Sequence, residues 1–267
     1  MKRLLAGGLA ALAVAAIAGC AKPTAKQALE KTTAAYKKLD SVKMQGSSGA
    51  EFRVGGQWEA RGSDVTIYFQ KPNKVRQESK GTNQPVVISD GKKAYLYYKQ
   101  DNAYVEAPAS VVLGNITGSQ AGVSMLALII NKDPFKGVKN PKMIGDERLG
   151  AVDTYVVEYQ PAKKLGMPGM EKAKVTERIW IGKQDWLVHK RVMTANIPKE
   201  VMKGQMPPGA GDQGARLTFT ADVSDLKVGA KIPSAQFMPP KNAKAISPHP
   251  MGMPMSPLGG SGHPSGR

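Results

Sequence analysis

Residues 68–108, YFQKPNKVRQESKGTNQPVVISDGKKAYLYYKQDNAYVEAP, decide the fold that we expect for this chain. Short runs of β-forming residues alternate there with Gly, Pro, Asn and Asp, which is typical of strands joined by tight turns. Asp90-Gly91 supplies a residue that tolerates a positive φ between two such runs, and Gln100-Asp101-Asn102 does the same at the next reversal. The stretch therefore predicts an antiparallel meander.

The strand pattern continues on both sides of this meander. Upstream, alternating runs follow Val42, and downstream they resume after a break in the middle of the chain. Gly, Pro, Lys and Met content marks 161–174 and 198–214 as mobile loops. The further strands are expected in GSSGAEFRVGGQWEARG, SDVTIYFQ, GAVDTYVVEYQ, KVTERIWIGKQDWLVHKRVMT, ARLTFTADVSDLKVG and SAQFMPP.

Two segments have the spacing of helices, and one has the composition of a disordered tail. Residues 24–39 carry apolar side chains at helical spacing behind a capping box of Thr24 and Gln27, so one face should pack against the sheet. The apolar run from Val123 to Ile130 predicts a short second helix. The composition of 241–267 cannot build a core, and we expect that segment to be disordered.

The N-terminus has the layout of a secretory signal peptide. Two basic residues, an apolar stretch of 14 residues from Leu4 to Ile17 and a small-residue end precede the only cysteine, Cys20. This stretch is shorter than the about 20 residues that a membrane span needs. The segment IAGC at 17–20 resembles the lipobox of bacterial lipoproteins. That resemblance implies cleavage before Cys20, acylation of its thiol and anchoring of the mature chain to a membrane.

The chain is strongly basic, with 38 Lys and Arg against 21 Asp and Glu and a formal net charge of +17. Such a balance often indicates nucleic acid, but an exported chain instead meets anionic headgroups, lipopolysaccharide and wall polymers. A generic solvated basic surface is the other interpretation. We expect no nucleic-acid partner. The expected location is the cell envelope, either the outer membrane facing the periplasm in a two-membrane bacterium or the outer face of the plasma membrane.

The order and spacing of motifs in 68–108 resemble the outer-membrane lipoprotein carrier family, LolA, and its relatives. The closing LTFTADVSDLKVGAKIPSAQFMPPKNAKAI is similar as well, so the resemblance covers about residues 24–246. It implies an α+β fold in which a strongly curved antiparallel sheet forms an incomplete, half-open β-barrel covered by lid helices. The apolar concave side of that fold holds acyl chains. The motifs are Lys71-Pro72-Asn73, Val75-Arg76, the hydrophobic strand running into Ser89-Asp90-Gly91, and the strand from Lys92 through Leu96-Tyr97.

The resemblance also implies which side chains would line an acyl-binding cavity. A plain hydrophobic core without a cavity is the alternative that alternation leaves open. The carrier family has Arg, linked to cargo hand-over, where this chain has Lys71, which keeps the charge but not the bidentate fork. The expected cavity residues are Val65, Ile67, Phe69, Leu96, Tyr98, Met125, Leu126, Ile129, Tyr155, Val157 and Tyr159.

Two functions fit these features. One is a lipid-anchored protein that binds acyl chains of a lipid or lipoprotein for transfer, reception or sensing. The other is a regulatory or structural envelope lipoprotein that binds a protein partner with the same fold. The sequence holds no catalytic, paired-cysteine or cofactor motif, so we expect neither an enzyme nor a cofactor, and His189 fits a half-exposed strand position.

The tail and the domain boundaries complete the prediction. Thioethers between His249 and Met255 are soft ligands suited to copper(I), although a plain proline-rich tail has the same composition. The expected boundaries are 1–19 for the signal peptide, 20–23 for the lipidated N-terminus and linker, 24–240 for the half-barrel domain and 241–267 for the tail.

Overall fold

The computed structural model describes residues 22–54, 57–81, 84–118, 124–162, 172–202 and 214–247. The predicted signal peptide, Cys20 and the His249–Met255 segment lie outside the described residues, as do parts of the two predicted loops. The helices are α1 (Ala25–Lys38), α2 (Ala109–Gly118), α3 (Met125–Ile130) and α4 (Lys199–Met202), with a 3-10 turn at Ser234–Phe237. The strands are β1 (Ser41–Val54), β2 (Gln57–Gln70), β3 (Lys74–Ser79), β4 (Val86–Asp90), β5 (Lys93–Tyr98), β6 (Ala103–Pro108), β7 (Lys139–Leu149), β8 (Val152–Gln160), β9 (Lys174–Gly182), β10 (Val188–Ile197), β11 (Ala215–Val228) and β12 (Lys244–Ala245).

Local sequence rules account for the starts and turns of several of these elements. The predicted capping box opens α1, because the Gln27 N–H donates to Thr24 Oγ1 (3.2 Å) and the Thr24 N–H donates to Gln27 Oε1 (2.9 Å). Gly91, with φ 99°, lies in the turn between β4 and β5, and Asn102, with φ 45°, lies in the next one. These are the positions at which the sequence offered residues that tolerate a positive φ.

All twelve strands form one curved open sheet, in the order β12-β6-β5-β4-β3-β2-β1-β11-β10-β9-β8-β7. Neighbouring strands are antiparallel except β12, which pairs parallel with β6. The chain builds one wing outward from β1 to β6, then builds the other inward from β7, at the far edge, to β11, which pairs with β1. The segment between β6 and β7 must therefore cross a face of the sheet. That crossing segment contains α2 and α3.

The main hydrophobic core lies on the concave face, where α1, α2 and α3 pack against the strands. Two smaller clusters lie elsewhere. One joins Tyr95, Tyr97 and neighbouring residues of β4 and β5 on the opposite face, with Ala243 of the C-terminal segment packed against it. The other lies at the end of the sheet where β1 and β10 finish, around Val54 and Ile197. The prediction of a curved antiparallel sheet is confirmed, and the fold is mostly β with few helices.

Two local predictions differ from the structure, and one helix, α2 over Ala109–Gly118, was not predicted at all. SAQFMPP contains a 3-10 turn instead of a strand, and this turn buries Phe237 to 1% exposure. The expected tail does not begin at residue 241, because the Lys244 and Ile246 N–H groups donate to the carbonyls of Asn102 and Tyr104, both at 2.9 Å. Backbone hydrogen bonds at a sheet edge need no apolar side chains, so composition gave no sign of them.

Candidate binding site on the concave face

The strands place most of the predicted cavity residues on one surface. Met44 and Ile67 are directly paired across β1 and β2, as are Val42 and Phe69. Tyr155 lies on the same face of β8 as Val157 and Tyr159 but is only partly buried, and its ring stacks on Trp186, which packs against the main core, with centroids 5.6 Å apart. The predicted residues in the main core are Ile67, Phe69, Leu96, Met125, Leu126, Ile129, Val157 and Tyr159, with Val65 and Tyr98 partly buried against it.

Helix α1 covers this surface at one side and is fixed there by both apolar and polar contacts. Ala28 and Leu29 are buried against the strands. Tyr36 reaches the start of β10, where its hydroxyl oxygen accepts a hydrogen bond from the Val188 N–H at 3.3 Å. Burial raises the pKa of Tyr36 above its usual range, so this phenol stays neutral. The last turn of α1 is thus hydrogen-bonded to β10.

Helix α3 fills the middle of the concave face and begins at Ser124. The Ser124 hydroxyl accepts from the Leu126 N–H (3.2 Å) and donates to Gln77 Oε1 of β3 (3.1 Å). The Ser124 carbonyl accepts from Arg191 Nη1 of β10 at 3.3 Å. In a flat sheet β3 and β10, four strand positions apart, would be separated by about 19 Å, at about 4.8 Å per position. Both strands reach one residue only because the sheet curves around α3.

A buried ion pair joins β9 and β10 beneath the start of α3. Glu177 and Arg191 form this pair, with side chains 2% and 8% exposed. Burial opposes the charge of Arg191, but attraction to Glu177 outweighs it and the pKa of Arg191 lies above its usual value. Burial also raises the pKa of Tyr159, and the adjacent Glu177 carboxylate, to which its hydroxyl donates, raises it further. The pair and Tyr159 form a polar island within an apolar surface.

Sequence reasoning missed this island. A partial signal was present, because alternation in KVTERIWIG places Glu177 on the same face as Ile179 and Ile181. A charged residue at an inward position calls for a buried partner. The sequence pattern does not reveal this partner, because a bulge between Val188 and Lys190 changes the alternation of β10 and turns Arg191 inward.

The described depressions lie away from the predicted cavity residues. One of about 480 Å³ adjoins the start of α1 and is lined by residues that include Lys22 and Lys31. Another of about 610 Å³ lies over a Gly- and Ser-rich band of β1 and β2 that includes Ser47 and Gly62. On the concave face the space between the strands is occupied by the side chains of α1, α2 and α3. An acyl chain bound there would have to replace some of these side chains.

Lys71 lies at the C-terminal end of α1 and not among the apolar side chains. Its Nζ donates to the Lys37 carbonyl and pairs with Asp40 Oδ1, both at 3.0 Å. The Lys71–Pro72 peptide is cis. A lysine that hydrogen-bonds a terminal helix carbonyl stabilises that helix end. In the described residues, Lys71, which is at the basic-Pro position of the carrier family, therefore makes a structural contact.

The remaining candidate groups make ordinary structural contacts. His189 is 8% exposed, so it is buried and not half-exposed as the sequence predicted, and its Nε2 lies 2.8 Å from Asp185 Oδ2. Burial opposes ionisation of Asp185, but hydrogen bonds from His189 and from the Leu187 N–H lower its pKa. Within the described residues no three His, Cys, Asp or Glu side chains are grouped to hold a metal ion. No helix in that part of the chain is long and apolar enough to cross a membrane.

Comparison with protein families identifies the chain. A family model described as "Predicted periplasmic protein (DUF2092)" matches residues 25–206, and the chain belongs to this family. No curated protein matches the chain in sequence.

Several solved structures are similar to this chain at low identity. LprF from Mycobacterium bovis is 14% identical, with 78% of this chain and 95% of that chain covered and a TM-score of 0.43. Lipoprotein LppX from Mycobacterium tuberculosis is 13% identical, with 78% and 96% covered and a TM-score of 0.41. A LolA superfamily protein from Nitrosomonas europaea is 12% identical, with 81% and 98% covered and a TM-score of 0.34. Similarities of this size define neither a superfamily nor a function.

Proposed function

We propose that this protein is an exported, membrane-anchored lipoprotein that binds acyl chains of a lipid or lipoprotein between the curved sheet and its crossing helices. Transfer, reception or sensing of that lipid at the cell envelope is its task. The observation that carries this proposal is the contrast in charge between the crossing segment, which contains α2 and α3, and the rest of the chain. The chain has a formal net charge of +17, yet Ala109 to Ile130 contain no Asp, Glu, Lys or Arg.

The uncharged crossing segment suits a lipid-binding role because an acyl chain could take its place as the apolar partner of the strands. Met125, Leu126, Leu128 and Ile129 of α3 are all less than 10% exposed. An acyl chain offers the strands the same kind of apolar contact that these side chains provide. The polar contacts described at the start of α3 all involve Ser124, so few hydrogen bonds have to break when the helix moves.

The proposed anchor is Cys20, which also determines where the protein is. Lys22, two residues further on, forms an ion pair with Asp146 at 2.6 Å, so the chain leaves the domain beside β7. Two residues of extended chain span at most about 7 Å. A bilayer holding acylated Cys20 would therefore lie close to that side of the domain. We place the protein at the outer membrane facing the periplasm, or at the outer face of the plasma membrane if the host has one membrane.

The test measures lipid directly. The processed protein, extracted gently in detergent, is analysed by native mass spectrometry, and uptake of a fluorescent fatty acid is followed in solution. Ser124→Ala removes the N-cap of α3, which weakens a helix by about 1 kcal/mol, so we expect about fivefold faster uptake. Val111→Ser, on the exposed face of α2, is the matched control and should leave uptake unchanged. Absence of both co-purified lipid and dye uptake would overturn the proposal.

A second candidate function is recognition of a protein partner in the envelope. The observation in its favour is that the side chains of α1, α2 and α3 already pack on the concave face, with a buried ion pair beneath α3. A permanently filled interior needs no lipid. Photo-crosslinking from the outer surface in intact cells would distinguish the two functions. A single specific protein adduct, found together with lipid-free protein, would favour this second function.

A further inference from the structure

The end of the sheet where β1 and β10 finish carries an exposed cross-strand row of basic and aromatic side chains. Strand register places five residues directly side by side across five strands. At about 4.8 Å per strand this row extends over roughly 19 Å. We call it the tip row, and it consists of Trp58, Arg53, Arg216, Asn196 and Lys174.

The side chains of the tip row point away from the helices. Val42 packs beneath α1, and counting along β1 in steps of two places Val54 on the same concave face and Arg53 on the convex one. The same alternation buries Ala215 beside exposed Arg216. All five members are exposed, and Trp58 is 68% exposed, the most of any large hydrophobic side chain described as exposed. The row is thus a solvated surface on the convex face of the sheet.

The charges of the tip row are available to an external anion. Arg53, Arg216 and Lys174 contribute three positive charges, and Glu51 is paired with Arg53. Exposed ion pairs of this kind are worth only about 0–1 kcal/mol because water and salt screen them. Exchange of the Glu51 carboxylate for a phosphate therefore has a small cost. Cations beside an exposed indole match the headgroup region of a bilayer, where Trp is enriched.

The tip row lies at the opposite end of the sheet from the chain's N-terminal attachment. Asp146, which pairs with Lys22, also pairs with Lys183 of the β9–β10 turn at 2.9 Å. The tip row lies beside the other end of β10, a strand of ten residues, or about 34 Å of extended chain. An anchor near Lys22 and a contact at the tip row would therefore engage different surfaces.

We propose that the tip row docks the protein onto a bilayer rich in anionic phospholipid. Arg53, Arg216 and Lys174 lie over the headgroup phosphates, and Trp58 inserts at the level of the headgroups. Three cations beside an exposed indole favour the anionic headgroup region of a bilayer as the occupant of this surface. This inference does not depend on acyl-chain binding at the concave face.

The test uses residues 20–267 carrying Cys20→Ser, so that neither the signal peptide nor an acyl group contributes, and vesicle flotation measures binding. Vesicles of phosphatidylcholine with phosphatidylglycerol should bind the protein, and vesicles of phosphatidylcholine alone should not. Arg53→Gln/Arg216→Gln should weaken binding roughly 25-fold, about fivefold per arginine. A matched control, Lys38→Gln/Lys92→Gln, removes the same charge at the opposite end of the sheet and should change binding less than twofold.

The fluorescence of Trp58 provides a second measurement, which a general loss of positive charge would leave unchanged. Indole fluorescence should shift to the blue when anionic vesicles are added, and Trp58→Phe should abolish the shift although Trp180 and Trp186 remain. All variants change exposed residues, and circular dichroism checks that they stay folded. Binding that is equal for both vesicle types, absent for both, or weakened equally by the control pair would overturn the proposal.

Discussion

The buried Glu177–Arg191 pair gives the sharpest test of how the concave face is packed. Removal of one partner leaves the other charge buried without a counter-charge, which costs about 3–5 kcal/mol, whereas replacement of both by apolar residues is often neutral. We expect Glu177→Met and Arg191→Met each to lower the free energy of unfolding by about 3 kcal/mol or more. In the double variant the Ser124 carbonyl and the Tyr159 hydroxyl lose partners, about 1 kcal/mol each, so its loss should be about 2 kcal/mol.

Urea unfolding followed by far-UV circular dichroism measures these differences. With an m-value of about 3 kcal/mol/M, each single variant should unfold at about 1 M less urea than the parent. The double-mutant cycle should give a coupling energy of about 4 kcal/mol. Arg178 and Glu158 form a comparison pair on the same sheet, 2.8 Å apart, with side chains 45% and 29% exposed. The cycle of Arg178→Met and Glu158→Met should give a coupling energy of at most about 1 kcal/mol. Coupling at the buried pair no larger than at this comparison pair would refute the reasoning.

Three further predictions follow from single positions. In Gly46→Ala the new Cβ would collide with the Asp222 carbonyl oxygen, so we expect a loss of about 1–3 kcal/mol in urea unfolding, whereas Gly114→Ala at an open position of α2 should gain up to about 1 kcal/mol. Burial opposes ionisation of Asp185, but hydrogen bonds hold its pKa below its usual range. Its contribution is therefore present above the unfolded-state pKa of about 4 and is lost as the pH falls through the lower folded-state value, so Asp185→Asn should flatten the fall in urea midpoint below about pH 4. Cys20→Ser in the full-length chain should leave an unlipidated precursor in mass spectra of the envelope fraction, and normal processing would contradict the lipobox.

Features set by neighbouring residues could be predicted from the sequence. The β4–β5 turn needs a positive φ at one position, and Gly91 is the residue that adopts it there. The capping box at Thr24 depends on two side chains three residues apart, so it is visible in the sequence. Alternation placed Ile67 and Val157 on the inner face because both strands keep an uninterrupted period of two there.

Features set by distant parts of the chain could not be predicted. The β-branched run in SVVLGNITG suits a strand locally, yet it forms α2 because the chain must cross from β6 at one edge to β7 at the other. Val188 and Arg191, three residues apart, share the inner face only through the bulge between them. Lys244 pairs with β6 because the order of strands leaves that edge free. In each case the deciding partner is far away in sequence.

A filled concave face is energetically compatible with a protein that binds acyl chains. The four side chains of α3 that are most deeply buried, Met125, Leu126, Leu128 and Ile129, each gain about 1.5–3 kcal/mol from burial, or about 6–12 kcal/mol together. An acyl chain that buries about 14 methylene groups gains about 11 kcal/mol, at about 0.8 kcal/mol for each group. The two terms nearly cancel, so for transfer from water an acyl chain of this length gains about as much as α3 loses, whereas a shorter chain gains less. In the proposed function, the balance between filled and lipid-bound forms would then depend on the few hydrogen bonds that hold Ser124 between β3 and β10.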